Sequence, residues 1–345
     1  MTMRIMESQI VDKIEYAANG TKFVRLDRGS LIRRYTLEIA ITIRTGSTSF
    51  NASNTKRNGL LNLIKQIRLE IGAGQLKFTH SGTDKYFTDL YEVGEYPHMD
   101  PLTNIPANSS KTFRIWFIYD FAPSRRTMSD FRELLNAPGN PSNDLYVDWG
   151  SMADVMTGNV PTGIEIDPDK TNITISNLRA FEDGSGDSQI EAVLSNLADP
   201  RVGVDQFLLD RAATSYDDSI IRIPINPVRT LITEQVCFAL ENITDGDPRF
   251  SNDVVDQFKV ENVVGGKETI IQDWWRHIWY QNRHDLRMRQ HPEGIILLDW
   301  PDQRQGGLRN NKAEDLEIRL LTPPPAAGKK NAIRIHYKYY PLPGV

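Results

Sequence analysis

One segment of the chain occurs twice, and this repeat limits the available folds more than any other feature of the sequence. The first copy, residues 63–74, reads LIKQIRLEIGAG, and the second, residues 254–265, reads VVDQFKVENVVG. Their apolar and basic positions match in character, and three residues are identical at an offset of 191 positions: Gln66 with Gln257, Glu70 with Glu261, and Gly74 with Gly265. Two amphipathic strands often match to this degree, so the flanking segments decide whether the fold is duplicated.

The order of the flanking segments repeats as well. In each half a long apolar segment comes first, with Arg25 corresponding to Arg222, and the repeated segment follows it. Each half then continues with an aromatic, helix-like segment, a strongly apolar strand, a strand that starts with Asp-Leu, and an alternating strand. This order predicts two copies of one fold, an N-terminal domain of residues 1–182 and a C-terminal domain of residues 183–345.

Most of the chain has the pattern of β-strands. Residues 113–121, FRIWFIYDF, place an apolar side chain at every second position, and residues 333–339, IRIHYKY, alternate apolar with polar side chains. This period of two is typical of sheets with one buried face. Loops rich in Gly, Pro, Asn and Asp separate such segments, and no regular strand–helix alternation occurs. The sequence therefore predicts an all-β sandwich architecture with few helices.

Five segments carry helical signals, and one of them, residues 188–197, is predicted as a short linker helix. Residues 84–91 and 127–135 are predicted as short helices, the second with Thr127 or Ser129 as its N-cap. The spacing of four apolar residues predicts one face of a further helix: Ile271, Trp274, Trp275 and Ile278. The N-terminal segment is predicted as a short amphipathic helix, with Ile5, Ile10 and Ile14 on its apolar side.

Composition excludes several classes of protein. The chain has 345 residues and a net charge of −5, so it has no basic surface of the size that nucleic-acid binding requires. It has no apolar run long enough to span a membrane, and we predict no N-terminal signal peptide from residues 1–16. The single cysteine, Cys237, lies in an apolar segment and is predicted to be buried. Four glycosylation sequons are interpreted as ordinary loop and strand asparagines: Asn51, Asn108, Asn172 and Asn242.

A search for catalytic and cofactor motifs finds none. There is no nucleophile elbow, phosphate-binding loop, dinucleotide fingerprint or pair of zinc-binding cysteines. His277, His284 and His291 recur every seven residues, whereas helical metal ligands are expected three or four residues apart. Pro292 also indicates that the helix ends before His291. We predict no catalytic, cofactor-binding or metal-binding residues.

Two clusters admit a second interpretation. Acidic loops contain Asp245, Asp247 and Asp253, and also Glu182, Asp183 and Asp187, but neither set has the spacing of a calcium loop. The aromatic residues of the segment 274–280 have the composition of a sugar-stacking site, and they equally suit a core or a subunit interface. We interpret the acidic loops as solvated turns and the aromatic residues as core or interface.

At this point the chain resembles a known family, the double jelly-roll major capsid proteins of tailless icosahedral viruses with an internal membrane, such as tectiviruses and corticoviruses. The resemblance is carried by residues 59–91, GLLNLIKQIRLEIGAGQLKFTHSGTDKYFTDLY, and by FRIWFIYDF, FRELLNAP and DLYVDWG, which follow them. In the second half GIILLDWPDQ and AEDLEIRLLT resemble the closing strands of the family. The likeness covers nearly the whole chain.

The resemblance implies two tandem eight-stranded jelly rolls and a structural role in the virion. It implies a homotrimer with six similar wedges, which tiles a shell next to penton and minor capsid proteins. Long loops, such as residues 97–111 and 244–253, are then outward projections or subunit contacts, and the N-terminal segment contacts the internal membrane or an internal protein. Synthesis in the host cytoplasm is expected.

Two alternatives remain open from the residues alone. One is a two-domain sandwich protein that binds or cleaves glycans, for which two carboxylates would have to face one cleft. The other is a minor vertex or spike protein of a virion. We expect the capsid protein, which assembles rather than catalyses.

Overall fold

The computed structural model describes most of the chain, namely residues 3–72, 74–93, 95–121, 134–137, 139–182, 201–222, 230–262, 268–285, 291–299, 308–310 and 316–341. The chain divides into two compact units, Met1–Asp199 and Pro200–Val345. We call their β-sandwiches roll 1 and roll 2. The expected domain border between residues 182 and 183 lies at the end of the last described strand of roll 1, and it stays a prediction.

Roll 1 consists of two antiparallel sheets. One has the order β1-β9-β3-β6, with β8 also beside β3, and the other has the order β2-β7-β4-β5. The elements are β1 (Met3–Glu15), β2 (Thr21–Arg25), β3 (Leu31–Thr45), β4 (Ile64–Ile71), β5 (Gln75–His80), α1 (Gly82–Val93), β6 (Ser110–Asp120), β7 (Asn143–Trp149), α2 (Met152–Val155), β8 (Ile164–Ile166) and β9 (Asn172–Glu182), with short 3-10 turns at Ala52–Asn54 and Gly59–Leu63.

Roll 2 repeats this arrangement. One sheet has β10, β19 and β12 side by side, with β13, β16 and β17 along β12, and the other has the order β11-β18-β14-β15. The elements are β10 (Arg201–Leu209), β11 (Ile220–Arg222), β12 (Thr230–Glu241), β13 (Arg249–Phe250), β14 (Gln257–Asn262), β15 (Glu268–Trp274), α3 (Trp275–Asp285), β16 (Ile295–Asp299), β17 (Leu308–Asn310), β18 (Leu316–Leu321) and β19 (Asn331–Pro341), with a 3-10 turn at Ile243–Asp245.

Both rolls have the strand order of a jelly roll. In each, the chain crosses between the two sheets at most connections. Among the described strands, β4–β5 and β14–β15 are consecutive neighbours in one sheet, and the two-residue strand β13 pairs with β12 directly before it. Eight principal strands build each roll, and a helix follows the fifth of them, α1 in roll 1 and α3 in roll 2. The predicted all-β fold of two tandem eight-stranded jelly rolls is confirmed.

The cores follow the alternation that the sequence predicts. Phe113, Ile115 and Phe117 of β6 face inward in roll 1 and are buried. Ile333 and Ile335 of β19 are buried in the core of roll 2. Cys237 of β12 lies in the same core as a small apolar residue, as predicted. Burial raises the pKa of its thiol, so it stays neutral and unreactive.

The repeated segment occupies the same place in both rolls. β4 and β14 each lie between the strand that precedes the helix and the strand with the Asp-Leu start. Both contain a register irregularity at the same point, between Leu69 and Glu70 in β4 and between Val260 and Glu261 in β14. Because a shared bulge requires a shared backbone path, the internal repeat is a structural duplication.

The predicted N-terminal helix is wrong. The segment forms strand β1, which pairs antiparallel with β9 from Met3 to Glu15. The isoleucine spacing also suits a helix, but β9 offers a complete edge of backbone hydrogen bonds, and β-branched residues favour that pairing. Tertiary context therefore overrides the helical period.

The predicted helical face of residues 271–278 is half correct. Ile271 and Trp274 belong to strand β15, and the helix α3 begins only at Trp275. Trp275 and Ile278 do face the core from α3. Helix α1 confirms the predicted helix at residues 84–91. Most of residues 127–135 and all of residues 188–197, the other two predicted helices, lie outside the described residues. In the described part of the chain, every helix is too short or too polar to cross a bilayer.

Candidate assembly surfaces

Four pairs of adjacent apolar residues each divide between core and solvent. In every pair the second side chain is buried and the first is between 40% and 58% exposed: Phe23–Val24, Leu208–Leu209, Ile220–Ile221 and Trp274–Trp275. Successive side chains of a strand point to opposite faces, so one member of each pair must face outward. All four pairs lie on or at the end of a strand that borders its sheet in the described structure: β2, β10, β11 and β15.

The first two strands of each roll form one surface. β1 and β2 end the two sheets of roll 1, and β10 and β11 end those of roll 2, so each pair flanks the open side of its sandwich. We call these the edge surfaces, represented by Phe23 in roll 1 and by Leu208 and Ile220 in roll 2. Edge strands offer backbone N–H and C=O groups to another chain, and exposed apolar side chains beside them favour a protein contact.

The edge surface of roll 2 contains a groove. Its volume is about 600 Å³, and both edge strands line it, with Leu208 and Leu209 on one side and Ile220 and Ile221 on the other. Asp210, Arg211 and Asp218 add charged groups of both signs to the lining. The groove is therefore a mixed polar and apolar surface, the kind of composition found in protein contacts.

Helix α3 presents a second exposed surface. Trp275 and Ile278 anchor the helix in the core, and Trp279 donates a hydrogen bond of 2.7 Å from its indole nitrogen to the backbone oxygen of Pro292. Trp274 and Tyr280 remain more than half exposed. The predicted aromatic cluster is therefore divided between core and surface, and its surface half has the Trp and Tyr composition of an interface.

The outer face of sheet β2-β7-β4-β5 has a row of charges that is partly exposed to solvent. The Nε atom of Arg25 lies 3.1 Å from Asp144 Oδ1. On the neighbouring strand Arg68 contacts Glu70 Oε1 at 3.1 Å and Asp148 Oδ2 at 2.8 Å. The Arg68 guanidinium also lies 4.7 Å from the centre of the Tyr146 ring, which stacks on exposed Phe23.

Roll 2 has the same row, but a loop covers it. The Nε atom of Arg222 lies 3.3 Å from Glu317 Oε1, as Arg25 does from Asp144. The hub is Arg319, which contacts Glu317 Oε2 at 2.7 Å and Glu261 Oε2 at 2.8 Å, and all three side chains are buried. Asp217, from the loop between β10 and β11, pairs with Arg319 from above.

The Glu317 carboxylate responds to two opposing effects. Burial by itself raises its pKa, but the hydrogen bond and charge of Arg319, assisted by Arg222, outweigh burial and hold the pKa below its ordinary value. Glu317 is therefore ionised at neutral pH. Because the charge of Arg319 favours the ionised form of Glu317 in the folded protein, the pair contributes to the stability of the folded roll.

The predicted helix end before His291 is confirmed, since α3 stops at Asp285. His277 and His284 are exposed and lie beside Asp273 and Asp285, whereas His291 is buried. Burial lowers the pKa of His291, and its ring packs edge-on against Trp279. The three histidines therefore have separate contacts and do not form a common site.

The acidic loops show a local structural role where they are described. Asp253 pairs with Arg276 of α3, and Asp245 belongs to the short 3-10 turn after β12. Asp183 and Asp187 lie outside the described residues. Among the residues that the structure does describe, no group of three or more His, Cys, Asp or Glu side chains is arranged to hold a metal ion.

Comparisons with known proteins identify the fold. No family model matches the sequence, and no curated protein matches it either. Solved structures do match. A chain of the Sulfolobus turreted icosahedral virus is similar with a TM-score of 0.71 at 16% identity, over 99% of this chain and 91% of that one. The Faustovirus major capsid protein is similar with a TM-score of 0.59 at 10% identity, over 99% and 91%.

A third match extends the likeness to a bacteriophage. The major capsid protein P2 of bacteriophage PM2 is similar with a TM-score of 0.51 at 12% identity, over 98% of both chains. The chain has the double jelly-roll fold. At these identities the likeness concerns the fold, and both rolls of this chain take part in it.

Sequence reasoning missed the edge surfaces, although the sequence held a signal for them. In a strand with one buried face, two adjacent apolar residues mean that one faces outward. The pairs at residues 23–24, 208–209 and 220–221 were all readable in this way. The cover over Arg319 had no such signal, because it depends on where the loop between β10 and β11 folds back.

Proposed function

We propose that the protein is a viral major capsid protein that forms pseudo-hexameric homotrimers and tiles an icosahedral shell around an internal membrane. The observation that carries the proposal is the fold likeness to viral capsid chains, which extends over 98–99% of this chain and so includes both rolls. A likeness to one roll alone would equally suit many sandwich proteins.

The duplication gives the proposal a physical basis. Three chains with two similar rolls each present six similar wedges around a three-fold axis, and a closed ring leaves no growing end. The edge surfaces suit contacts within such a ring, because both rolls expose apolar side chains beside free strand edges. Burying these edges in a ring also protects them from uncontrolled strand pairing.

The proposal includes further partners. Neighbouring trimers, penton proteins and minor capsid proteins would contact the outside of the ring, and the chain would be made in the host cytoplasm before assembly into the virion. For the expected contact of the N-terminal segment with the internal membrane or an internal protein, the available side chain is Ile10, which is 72% exposed on β1. Deleting residues 1–16 is a poor test of this contact, because it removes a strand that pairs along its whole length with β9. Ile10→Ser leaves the strand and removes the contact.

The first experiment measures the solution mass of the purified protein by light scattering at micromolar concentration. We expect a stable species of three times the chain mass of 39.3 kDa, which persists on dilution. A strictly monomeric protein would contradict the proposal and would favour the glycan-binding alternative, to be followed on a glycan array.

Matched variants then locate the contact. The double variant Phe23→Ser, Ile220→Ser removes one exposed apolar side chain from each edge surface, and we expect it to shift the protein toward monomer. The control is Leu76→Ser, which removes an exposed apolar side chain from β5, on the opposite border of its sheet. Equal trimer fractions in the double variant and the control would exclude the edge surfaces as the contact.

A further inference from the structure

A fifth glycosylation sequon accompanies the four described above. Asn19, Gly20 and Thr21 form the motif Asn-x-Ser/Thr, in which x is not proline. The sequons thus begin at five asparagines: Asn19, Asn51, Asn108, Asn172 and Asn242. Because asparagine is common in loops for conformational reasons alone, the number of sequons matters less than their placement.

Three of the four loops at one end of roll 1 contain a sequon asparagine, and at the fourth the sequon occupies the first three residues of the strand that follows. Asn19 lies between β1 and β2, Asn51 between β3 and β4, and Asn108 between α1 and β6, while Asn172 starts β9 after the loop from β7. In roll 2, Asn242 directly follows β12, in the loop that corresponds to the one between β3 and β4. We call this end of roll 1 its loop end.

Hydrogen bonds between the loops show that they share this end. The backbone N–H of Asn108 donates to the backbone oxygen of Gly46 at 2.6 Å. The backbone N–H of Gly46 in turn donates to the backbone oxygen of Gly163 at 2.6 Å, so these bonds join three of the four loops. The amide of Asn19 donates to Gly150 at 3.2 Å and adds the fourth.

The opposite end of roll 1 provides an internal control. Its connections, residues 26–30, 72–74 and 121–142, also contain asparagines, including Asn136 and Asn140. Neither of these begins a sequon, since proline follows Asn140 directly and stands two positions after Asn136. A general abundance of loop asparagines therefore does not explain why three of the four loops at the other end have a sequon asparagine.

The sequon asparagines of the loop end are accessible. Asn19, Asn51 and Asn108 are exposed, and Asn172 and Asn242 are half-buried. In the described part of the chain, the residues other than glycine with a positive φ are all sequon asparagines: Asn19 (52°), Asn108 (53°) and Asn242 (57°). Such residues lie in tight turns outside the sheet ladders, where a bulky substituent displaces no strand hydrogen bond.

In two sequons the hydroxyl group of the third residue contacts the side-chain carboxamide of the asparagine. The Ser53 hydroxyl donates to Asn51 Oδ1 at 2.9 Å, and the Thr244 hydroxyl donates to Asn242 Oδ1 at 2.7 Å. An alanine at the third position of the motif could not make this bond. The hydroxyl residue is therefore part of the local geometry of the asparagine.

In place of the interpretation from sequence, we propose that the loop end of roll 1 is a modification site that carries N-linked oligosaccharides at Asn19, Asn51 and Asn108. The donor class is an oligosaccharide linked to a lipid diphosphate, and because such donors are used outside the cytoplasm, the chain must be translocated after its synthesis. A bond forms between Asn Nδ2 and the anomeric carbon, the bond from that carbon to the diphosphate oxygen breaks, the amide nitrogen loses one proton, and the lipid diphosphate leaves. No oxidation or reduction takes place.

The inference does not depend on the proposed function, but it adds to it. A hydrated glycan is bulky and resists burial, so the end of the roll that carries it must face solvent. In a shell built from this chain, the loop end of roll 1 would be the outward end. The glycans would also cover loop backbone that is otherwise open to proteases.

The decisive measurement is the mass of the protein isolated from its natural source. We expect an intact mass above the 39.3 kDa of the bare chain, and peptide mapping by tandem mass spectrometry should place hexose or N-acetylhexosamine on Asn19, Asn51 or Asn108. Protein made in bacteria without a glycosylation system gives the unmodified reference. A natural protein with the bare mass, or with sugar only on serine and threonine, would overturn the proposal.

A reconstituted reaction tests the sites one by one. Purified folded protein is incubated with a single-subunit oligosaccharyl transferase and its lipid diphosphate-linked oligosaccharide. Ser110→Ala removes the sequon of Asn108 at an exposed position and should reduce occupancy there to background, while Ser110→Thr keeps the motif and should retain it. Occupancy that is insensitive to Ser110→Ala, or no transfer to any of the three exposed sites, would count against the loop end as a site.

Discussion

The outer faces of the two equivalent sheets, β2-β7-β4-β5 in roll 1 and β11-β18-β14-β15 in roll 2, carry similar charges in different surroundings, with the central arginine on β4 in roll 1 and on β18 in roll 2. In roll 1 the side chains of Arg68 and its two partners are 26–29% exposed. In roll 2 the row around Arg319 is buried, although the pairs Arg25–Asp144 and Arg222–Glu317 correspond strand for strand. The two faces therefore have a similar pattern of ion pairs, but we expect these pairs to contribute differently to the unfolding free energy of the two rolls.

The difference comes from one connection. Between β1 and β2 the chain needs only residues 16–20, whereas between β10 and β11 it has residues 210–219. The longer loop folds back over the sheet, where the Tyr216 hydroxyl donates to Gln257 Oε1 at 2.8 Å and its ring lies 5.4 Å from the Lys259 ammonium. Ala213 and Thr322 hold the loop with paired backbone hydrogen bonds of 3.1 Å.

After a duplication, loops are free to change because they lie outside the sheet ladders. Here a change of one loop converts a solvated charge row into a covered one without altering the strands beneath. An exposed ion pair contributes about 0–1 kcal/mol, and removing one partner of a well-buried pair costs about 3–5 kcal/mol. The roll 2 network lies under a single loop, so its weight falls between these limits.

The largest difference between the two sheets is expected on loss of their central arginines. Arg319→Met leaves Glu261 and Glu317 close together without their shared partner, and we expect it to lower the unfolding free energy of roll 2 by about 2 kcal/mol. The matched change Arg68→Met should lower that of roll 1 by about 1 kcal/mol or less, since water replaces the lost contacts.

Hydrogen exchange measured by mass spectrometry separates the two rolls. Peptides from β14 and β18 should lose protection in Arg319→Met, and peptides from β4 and β7 should report Arg68→Met. Equal losses in the two variants would mean that the loop does not shield the roll 2 network.

The next prediction concerns the loop of residues 210–219, which lies over the ion pairs of roll 2. Tyr216→Ala removes the hydrogen bond to Gln257 and the contact with the Lys259 ammonium, and we expect a loss of about 1 kcal/mol together with faster proteolysis at residues 210–219. Tyr280→Ala is the matched control, because it removes an equally large aromatic side chain from the exposed face of α3. Proteolysis unchanged in Tyr216→Ala would show that the backbone pairing of Ala213 alone holds the loop.

Much of the fold was predictable because it rests on local periodicity. The alternation in residues 113–121 and 333–339 identified strands with one buried face, and the offset of 191 residues placed Glu70 and Glu261 at equivalent points of β4 and β14. Arg25 and Arg222 were matched correctly from sequence, and their ion pairs confirm the match. These features depend on residues next to one another in the chain or on their order.

The errors occurred where long-range contacts decide the structure. The isoleucines of the N-terminal segment fit a helical period, but pairing with β9 made the segment a strand. The cover of roll 2 was not predicted because residues 210–219 have no periodicity, and the role of Tyr216 depends on a sheet formed by residues far along the chain. Ile271 and Trp274 were misplaced because strand β15 runs directly into α3, with no break in the apolar pattern.

Acid titration gives a smaller and more specific difference. The pKa of Glu317 is lowered in the folded protein, so its contribution to stability is present above the unfolded value of about 4.3 and is lost as the pH falls through the folded value. Wild type should therefore exceed Glu317→Gln in unfolding free energy at neutral pH, and the gap should close below about pH 4. Urea titrations between pH 3 and 7 measure this gap. A gap that stays constant over that range would place Glu317 outside the titrating network.

The smallest effect is expected where the two rows are alike. Arg25 and Arg222 lie at the outer end of their rows with most of each side chain in solvent, so ordering the side chain offsets much of the Coulombic gain. We expect Arg25→Ala and Arg222→Ala each to lower the unfolding free energy by less than about 0.5 kcal/mol and to be equal within error. Glu317 keeps Arg319 when Arg222 is removed, so the cover does not amplify the loss. If Arg222→Ala instead destabilised roll 2 as strongly as Arg319→Met, the network would act as one unit that reaches the strand edge, and the difference between the sheets would belong to the whole row rather than to its covered part.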